Sequence, residues 1–348
     1  MKIWITLCAA LLSVVIAGVG GIALIPYLRK IHFGQTILEE GPAWHKSKQG
    51  TPIMGGFLFM VGSIVSTVLF YAVWRMTRGE NIDISADTTA MNGWKLLATV
   101  IFSLLYACIG FADDYIKAVK KQNLGLTATQ KTAAQLVLCG LFLGILYLLG
   151  DTSTEFDFVF FRIDFHIFYY PIVMAMMYYI SNAVNLTDGV DGLCGTVSTI
   201  AMLALTIVAG VLRQYELSLY AIAIAGGCIG FLFWNLHPAK CFMGDTGSMY
   251  LGGAFAAIGI ALHMHLLTVL IGLVYVLDAF SVVLQVGYFK YTKKRYGEGR
   301  RIFKMSPIHH HFELCKWSEY KIVTVFALFG LGCAVLAAVS AFLTYGAN

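Results

Sequence analysis

Four short polar segments interrupt an otherwise apolar chain and contain the residues best suited to chemistry. "FADDYIK" contains the adjacent carboxylates Asp113 and Asp114, and "NAVNLTDGVDG" contains Asn185, Asp188 and Asp191. The other two segments are "WNLHPAKCFMGDTGS" and "KMSPIHHHFELC". Two neighbouring carboxylates repel each other unless a proton or a cation lies between them. The pair therefore indicates either a bound Mg²⁺ or a cationic side chain beside it.

Glycines and hydroxyl groups accompany the other acids. Gly189 lets the backbone of its segment approach a ligand closely, and Asp188 and Asp191 can accept hydrogen bonds from a base or a sugar. "FMGDTGS" surrounds Asp245 with similar residues, next to the aromatic Phe242. The same residue types also form ordinary turns and helix caps. Each segment taken alone is open to that simpler interpretation.

The consecutive histidines His309, His310 and His311 cannot all point in one direction, in a helix or in a strand. They lack the spacing of a zinc site, and the run is internal and too short for an affinity tag. Their position beside the basic segment "GEGRRIFK" favours binding of an anionic phosphate, with one ring able to carry a proton. Lysines near the acidic segments add positive charge. They are Lys46, Lys48, Lys117 and Lys131.

Composition places these segments in a membrane protein. The chain has 348 residues, of which 59% are hydrophobic and 12% charged, and its mean hydropathy is +0.76. A soluble domain carries about 25% charged residues. The eight cysteines form no CxxC pair, so they are interpreted as core residues rather than disulfide or metal ligands. No nucleic-acid partner is expected.

Ten apolar segments predict an all-α polytopic membrane protein with a single domain, 1–348, because a membrane helix needs about 20 mostly apolar residues. They lie near 3–25, 53–74, 94–112, 132–149, 167–185, 193–212, 217–236, 247–263, 266–289 and 322–345. Loops on one side hold 18 of the 24 Lys and Arg residues, which predicts that side to be cytoplasmic. Both termini are then outside, and all four polar segments are cytoplasmic. The outer segment 155–167 partly alternates apolar and polar residues, as a short hairpin does.

Five motifs, in this order along nearly the whole chain, resemble those of the phospho-N-acetylmuramoyl-pentapeptide transferase family: "GTPIMGG", "FADDYIK", "NAVNLTDGVDGL", "FMGDTGS" and "PIHHHFE". The wider superfamily of polyprenyl-phosphate N-acetylhexosamine-1-phosphate transferases shares the Asp-rich motifs, and "PIHHHFE" favours the muramoyl-pentapeptide branch. The resemblance implies transfer of phospho-MurNAc-pentapeptide from UDP-MurNAc-pentapeptide to undecaprenyl phosphate, giving lipid I and UMP. It also implies Mg²⁺ dependence, a homodimer, and a place in the bacterial cytoplasmic membrane with the active site facing the cytoplasm.

The same resemblance implies roles for individual residues. It makes Asp245 the metal ligand, with Asp113 and Asp114 as further candidate ligands, and it leaves open whether Asp113 is a base or a nucleophile. The implied catalytic residues are Asp113, Asp114, Lys117, Lys131, Asp245, His309, His310 and His311. The implied substrate-binding residues are Lys46, Lys48, Thr51, Asn185, Asp188, Gly189, Asp191, Asn235 and Phe242, with Phe242 stacked on uracil. Either Lys46 or Lys48 aligns with the family's lysine.

Other functions fit parts of this pattern. A sibling enzyme that moves GlcNAc-1-phosphate to a polyprenyl phosphate would differ in the sugar that it accepts. A proton- or cation-coupled transporter should place acids in the middle of the membrane, and Asp278 in the ninth predicted span is the one clear case. A structural scaffold would not need a carboxylate pair.

Overall fold

The chain folds into a bundle of α-helices, as a computed structural model describes it for residues 2–30, 50–77, 86–120 and 125–346. The all-α prediction is therefore confirmed. Lys46 and Lys48 lie outside the described residues, and the side chains of 86–90 and 119–120 are likewise not described. The helices are α1 (Ile3–Lys30), α2 (Gly56–Thr77), α3 (Ala86–Lys120), α4 (Ala128–Leu148), α5 (Tyr169–Leu186), α6 (Leu193–Val211), α7 (Tyr215–Asn235), α8 (Gly244–Ala261), α9 (His265–Ile271), α10 (Leu273–Tyr296), α11 (Ile308–Leu314) and α12 (Glu319–Tyr345).

Within the described ranges, nine helices are long and apolar enough to cross a membrane. They correspond to nine of the ten predicted spans, and two of the ten predicted spans have features that the sequence did not indicate. The eighth predicted span is α8, an 18-residue helix rich in glycine and alanine that is not among these nine. The ninth predicted span is divided at Gly272 into the short helix α9 and the long helix α10.

Helix α8 occupies the centre of the bundle, where it packs against α2, α3 and α5. Every residue from Thr246 to Ala261 is buried. A helix enclosed by protein does not need the large side chains that lipid contact favours, and small residues allow close helix packing. At Gly110 of α3, an added Cβ would lie 2.1 Å from the carbonyl oxygen of Asp245. This close crossing brings the end of α3 next to the start of α8.

The predicted hairpin between α4 and α5 is confirmed. Strands β1 (Glu155–Asp157) and β2 (Arg162–Asp164) pair in antiparallel register, and a short 3₁₀ helix (His166–Phe168) leads into α5. We call this end of the bundle the hairpin end. The four polar segments meet at the opposite end, which we call the motif end.

Candidate active site

Two carboxylates and two lysines meet where α3, the start of α4 and the start of α8 converge. The Lys117 Nζ atom lies 2.5 Å from Asp113 Oδ2 and 3.1 Å from Asp245 Oδ2. The Lys131 Nζ atom lies 2.8 Å from Asp245 Oδ2 and 3.5 Å from Asp113 Oδ1. We call these four residues the acid–lysine cluster. The two positive and two negative charges balance, although the residues come from distant parts of the sequence.

The side chains of this cluster differ in their access to solvent. The Asp113 side chain is 3% exposed, whereas those of Asp245 and Lys131 are 21% and 20% exposed and that of Lys117 is 35% exposed. The backbone N–H of Leu126 donates to Asp113 Oδ1 at 2.8 Å, so the segment before α4 covers this carboxylate. Asp245 is therefore the carboxylate of the cluster that a ligand can reach most directly.

Asn185, at the end of α5, adds a third element to the cluster. Its Nδ2 atom donates to Asp245 Oδ1 at 3.1 Å and to the hydroxyl of Ser248 at 2.8 Å. Burial alone would raise the pKa of Asp245, but the ammonium groups of Lys117 and Lys131 outweigh burial and hold this pKa well below its usual range. Asp245 is therefore ionised at neutral pH.

Asp114 is adjacent to Asp113 in sequence but points to a different partner. Its carboxylate accepts hydrogen bonds from the backbone N–H groups of Asp245 (3.1 Å) and Thr246 (2.8 Å) and from the Thr246 hydroxyl (2.7 Å). These are groups of the first turn of α8, where a negative charge is favourable. The expected repulsion within the pair is thus relieved separately, by lysines at Asp113 and by the start of α8 at Asp114.

The "GTPIMGG" segment pairs with the segment that contains Phe242. The Phe242 N–H donates to the Pro52 carbonyl and the Gly55 N–H donates to the Phe242 carbonyl, both at 2.8 Å. The side chains of Phe242 and Thr51 are half-buried. These bonds fix the Phe242 backbone three residues before Asp245.

Asn235, predicted to bind substrate, bonds two loops to each other. Its Oδ1 atom accepts from the Gly192 N–H at 3.1 Å, and its Nδ2 atom donates to the Cys241 carbonyl at 2.9 Å. The residue is 2% exposed. The amide therefore joins the α5–α6 loop to the α7–α8 loop, a role that its place at the end of a predicted span did not reveal.

A second polar cluster joins the same loops to α12. His237 Nδ1 lies 3.0 Å from Asp191 Oδ2 and 3.4 Å from Glu319 Oε1. The Asp191 N–H also donates to Glu319 Oε2 at 3.0 Å, and the Ala239 N–H donates to Asp191 Oδ2 at 3.0 Å. The sequence analysis missed His237 and Glu319, because no spacing links residues so far apart. Asp188, in the same α5–α6 loop, is half-buried.

The three histidines of α11 point in different directions, as expected. His309 is fully buried against Asp278 of α10, His310 bonds Glu313 within its own helix, and His311 Nδ1 accepts from the Lys304 N–H at 3.1 Å. Asp278, on which the transporter alternative rested, is thus the partner of a motif histidine. Gly189 lies directly against the His309 ring. This contact connects the histidine helix to the α5–α6 loop.

The acid–lysine cluster has the donor types that a hard divalent cation prefers. Mg²⁺ binds through carboxylate oxygens and water. The cluster presents a buried carboxylate, Asp113, and a more open one, Asp245, which lie 3.5 Å and 2.8 Å from the same Lys131 Nζ atom. The two lysines neutralise these carboxylates in the present arrangement. An arriving diphosphate could take the lysines as its own partners, so the residues fit a magnesium diphosphate.

Comparison with known sequences identifies relatives over nearly the full chain. Residues 96–263, which run from α3 to the end of α8, match the family described as glycosyl transferase family 4. A protein of Shouchella clausii is 41% identical over 337 residues, covering 97% of each chain. One of Bacillus cytotoxicus is 44% identical over 313 residues, 90% of each chain, and one of Listeria monocytogenes is 40% identical over 338 residues, 97% of this chain and 98% of its own. All three are named phospho-N-acetylmuramoyl-pentapeptide-transferase.

Proposed function

The chain belongs to the phospho-N-acetylmuramoyl-pentapeptide transferase family, and we infer that it is a membrane transferase of peptidoglycan synthesis. It moves phospho-MurNAc-pentapeptide from its UDP carrier to undecaprenyl phosphate, forming lipid I and releasing UMP. An oxygen of the lipid phosphate forms a bond to the phosphorus that carries the sugar, and the bond from that phosphorus to UMP breaks. The observation that supports this assignment most strongly is the acid–lysine cluster, which three separate segments build.

Each member of the cluster suits a part of phosphoryl transfer, which depends mainly on positioning and on neutralising charge. Lys117 and Lys131 would bind the anionic oxygens of the diphosphate. Asp245, the more open carboxylate, would hold Mg²⁺, with Asp113 beside it. When bound, Mg²⁺ would neutralise the diphosphate and stabilise the negative charge on the departing UMP. Asn185 would keep the Asp245 carboxylate oriented through its hydrogen bond.

Two roles for Asp113 agree with its burial beside Lys117. As a base it would accept the last proton of the lipid phosphate before that phosphate attacks. As a nucleophile it would first form a bond to the sugar's phosphorus and expel UMP, and the lipid phosphate would then displace it. The two roles differ in their response to pH.

The remaining proposals concern the surroundings of this centre. Phe242 would stack on uracil, next to the carboxylate that holds the metal, and Asp188 would accept hydrogen bonds from the nucleoside. We propose that the motif end faces the cytoplasm, where a water-soluble UDP substrate would meet a lipid phosphate at the membrane surface. The homodimer is a further expectation from the family likeness.

The activity is tested by incubating the detergent-solubilised chain with UDP-MurNAc-pentapeptide, undecaprenyl phosphate and Mg²⁺. We expect UMP and lipid I to appear together in equal amounts. A parallel reaction with UDP-GlcNAc separates the sibling activity, because a GlcNAc-1-phosphate transferase would release UMP from that sugar instead. Release of UMP from UDP-GlcNAc but not from UDP-MurNAc-pentapeptide would contradict the proposed substrate.

A further inference from the structure

Asp278 and His309 form a pair that is completely buried near the motif end. Both side chains are 0% exposed. The Asp278 Oδ2 atom lies 2.8 Å from His309 Nδ1, and Asp278 Oδ1 accepts the backbone N–H of His309 at 3.3 Å. One carboxylate thus holds both the ring and the backbone of the same residue. It fixes where α11 begins and how the ring is turned.

The other ring nitrogen of His309 is left without a hydrogen bond. Its Nε2 atom is buried and has no partner among the described residues. An unsatisfied buried polar atom costs about 1–3 kcal/mol, so its presence in a native structure calls for an explanation. The atom faces Gly189, where an added Cβ would lie only 2.2 Å away. The α5–α6 loop therefore fits around this ring because residue 189 has no side chain.

Stability alone is a weak explanation for this pair. Burying a pair of polar, titratable side chains costs desolvation energy that their contact often fails to offset, and apolar replacements of similar volume are commonly as stable. A carboxylate bonded to one nitrogen of a histidine has another effect, since it sets the tautomer and orientation that the second nitrogen presents. Here the second nitrogen is the unsatisfied one, directed at a loop that carries predicted substrate-binding residues.

We propose that Asp278 is a positioning residue of the active site and acts through His309. By holding Nδ1, it keeps Nε2 against Gly189 and makes Nε2 the one ring atom left for a substrate group. It thereby couples the histidine helix α11 to the α5–α6 loop, which follows the end of α5, where Asn185 bonds Asp245 of the acid–lysine cluster. This proposal rests on the transferase function proposed above.

The test compares Asp278→Asn, His309→Asn and the double variant. Asn at 309 can still donate to residue 278 from the position of Nδ1 but has no counterpart of Nε2. For histidines that bind a metal, losing the orienting partner typically costs about 10–100-fold, and we take this factor as the scale for His309. We expect each single variant to lower kcat/KM for the UDP substrate by roughly that factor, with the stability of the folded protein largely kept. The double variant should be no worse than His309→Asn, because residues that act as one unit are not additive.

A third variant examines the contact from the loop side. Gly189→Ala places a methyl group where Nε2 now lies, and the backbone of residue 189 is not in the left-handed region that would itself disfavour alanine. We expect a loss of kcat/KM similar to that of Asp278→Asn. Asp157→Asn is the matched control, since Asp157 is also buried and bonded, to Arg162 and Tyr345, but at the hairpin end. It should lower the melting temperature and leave kcat/KM per folded molecule unchanged.

Two results would overturn the proposal. One is an unchanged kcat/KM in Asp278→Asn, measured per folded molecule. The other is a double variant whose loss equals the product of the two single losses, which would mean that Asp278 does not act through His309. The rate of the parent chain tests the transferase function itself, so a failure of that function is seen separately, in the parent.

Discussion

At the scale of single residues, the adjacent acids Asp113 and Asp114 have different partners. Consecutive helical residues are about 100° apart around the axis, so two neighbours cannot share one partner easily. Asp113 lies on the same face as Lys117, four residues on, and faces the lysines, whereas Asp114 faces the first turn of α8. The sequence predicts that the pair needs positive partners. It does not predict which partner each acid takes, because that depends on the crossing of α3 and α8.

Replacing Asp114 with alanine should therefore reduce stability before it affects chemistry. The change removes three hydrogen bonds from the start of α8, and loss of a helix cap costs about 0.5–2 kcal/mol. We expect a lower melting temperature in detergent, measured by the loss of folded protein on heating. Thr246→Val, which removes only one of the three bonds, should give a smaller decrease in the same direction. Equal melting temperatures for the parent and Asp114→Ala would contradict this role.

At the scale of helices, hydrophobic length predicts most of the bundle because lipid contact requires long apolar surfaces. Hydrophobic length does not indicate that α8 is enclosed by other helices or that α9 and α10 are separate helices. There the chain can use glycine, break a helix at Gly272, and bury His265 at the start of α9. The signals for these features are side-chain contacts between distant segments, which a single sequence does not contain.

His265 makes the hairpin end sensitive to acid. Its Nδ1 atom accepts the Asp157 N–H at 3.2 Å and its Nε2 atom pairs with the Tyr169 hydroxyl at 3.0 Å, an arrangement that requires a neutral ring. Burial and the nearby His263 lower the pKa of His265 from 6.5 to about 4. As pH falls, His265 therefore takes up a proton in the unfolded chain before it does so in the folded protein. The stability that the neutral ring contributes above pH 6.5 is lost progressively toward pH 4. The shift corresponds to about 3 kcal/mol.

We expect the melting temperature of the parent in detergent to fall between pH 6.5 and pH 4. The variant His265→Asn has no titratable side chain at this position. Its melting temperature and that of the parent should therefore converge as pH decreases. Asp157 and Asp151 also lie near this ring, so the comparison with the variant isolates the part due to His265. A constant difference between the two proteins across this pH range would contradict the assignment.

At the scale of the whole molecule, the four polar segments are predicted to lie on the same side of the membrane, and they do meet at one end of the bundle. Counting the spans is sufficient for this, because alternate loops of a chain that crosses the bundle repeatedly lie at the same end. The count does not reveal the contacts within the motif end. Asn235 is one example: its side-chain amide bonds two loops, whereas its binding of substrate stays a prediction.

The orientation in the membrane is tested by labelling single introduced cysteines in intact cells. Glu298, after the basic end of α10, and Thr152, before the hairpin, are both exposed. Because basic loops remain in the cytoplasm, a cysteine at 298 should react only with a membrane-permeant reagent, and one at 152 also with an impermeant reagent. The parent, with its own eight cysteines, gives the background. Impermeant labelling at 298 would place the motif end outside.

The central claim is that the acid–lysine cluster transfers the phosphoryl group, with Asp245 as metal ligand and Asp113 as base or nucleophile. It is tested most directly by initial rates of UMP release from Asp245→Asn and Asp113→Asn across Mg²⁺ concentration and pH. Asp245→Asn keeps its shape but loses a charge that binds Mg²⁺, so excess Mg²⁺ should restore part of its rate. If Asp113 is a base, the rate of UMP release by Asp113→Asn should be about 10²–10⁴-fold below that of the parent. Excess Mg²⁺ should not restore this rate.

The pH dependence of Asp113→Asn then separates its two roles. Alkaline pH ionises the lipid phosphate without help, so it should partly restore the rate if Asp113 is a base and should not if Asp113 is a nucleophile. We expect only Asp245→Asn to respond to Mg²⁺. Parent-like turnover by Asp113→Asn, or identical responses of both variants to Mg²⁺, would contradict it.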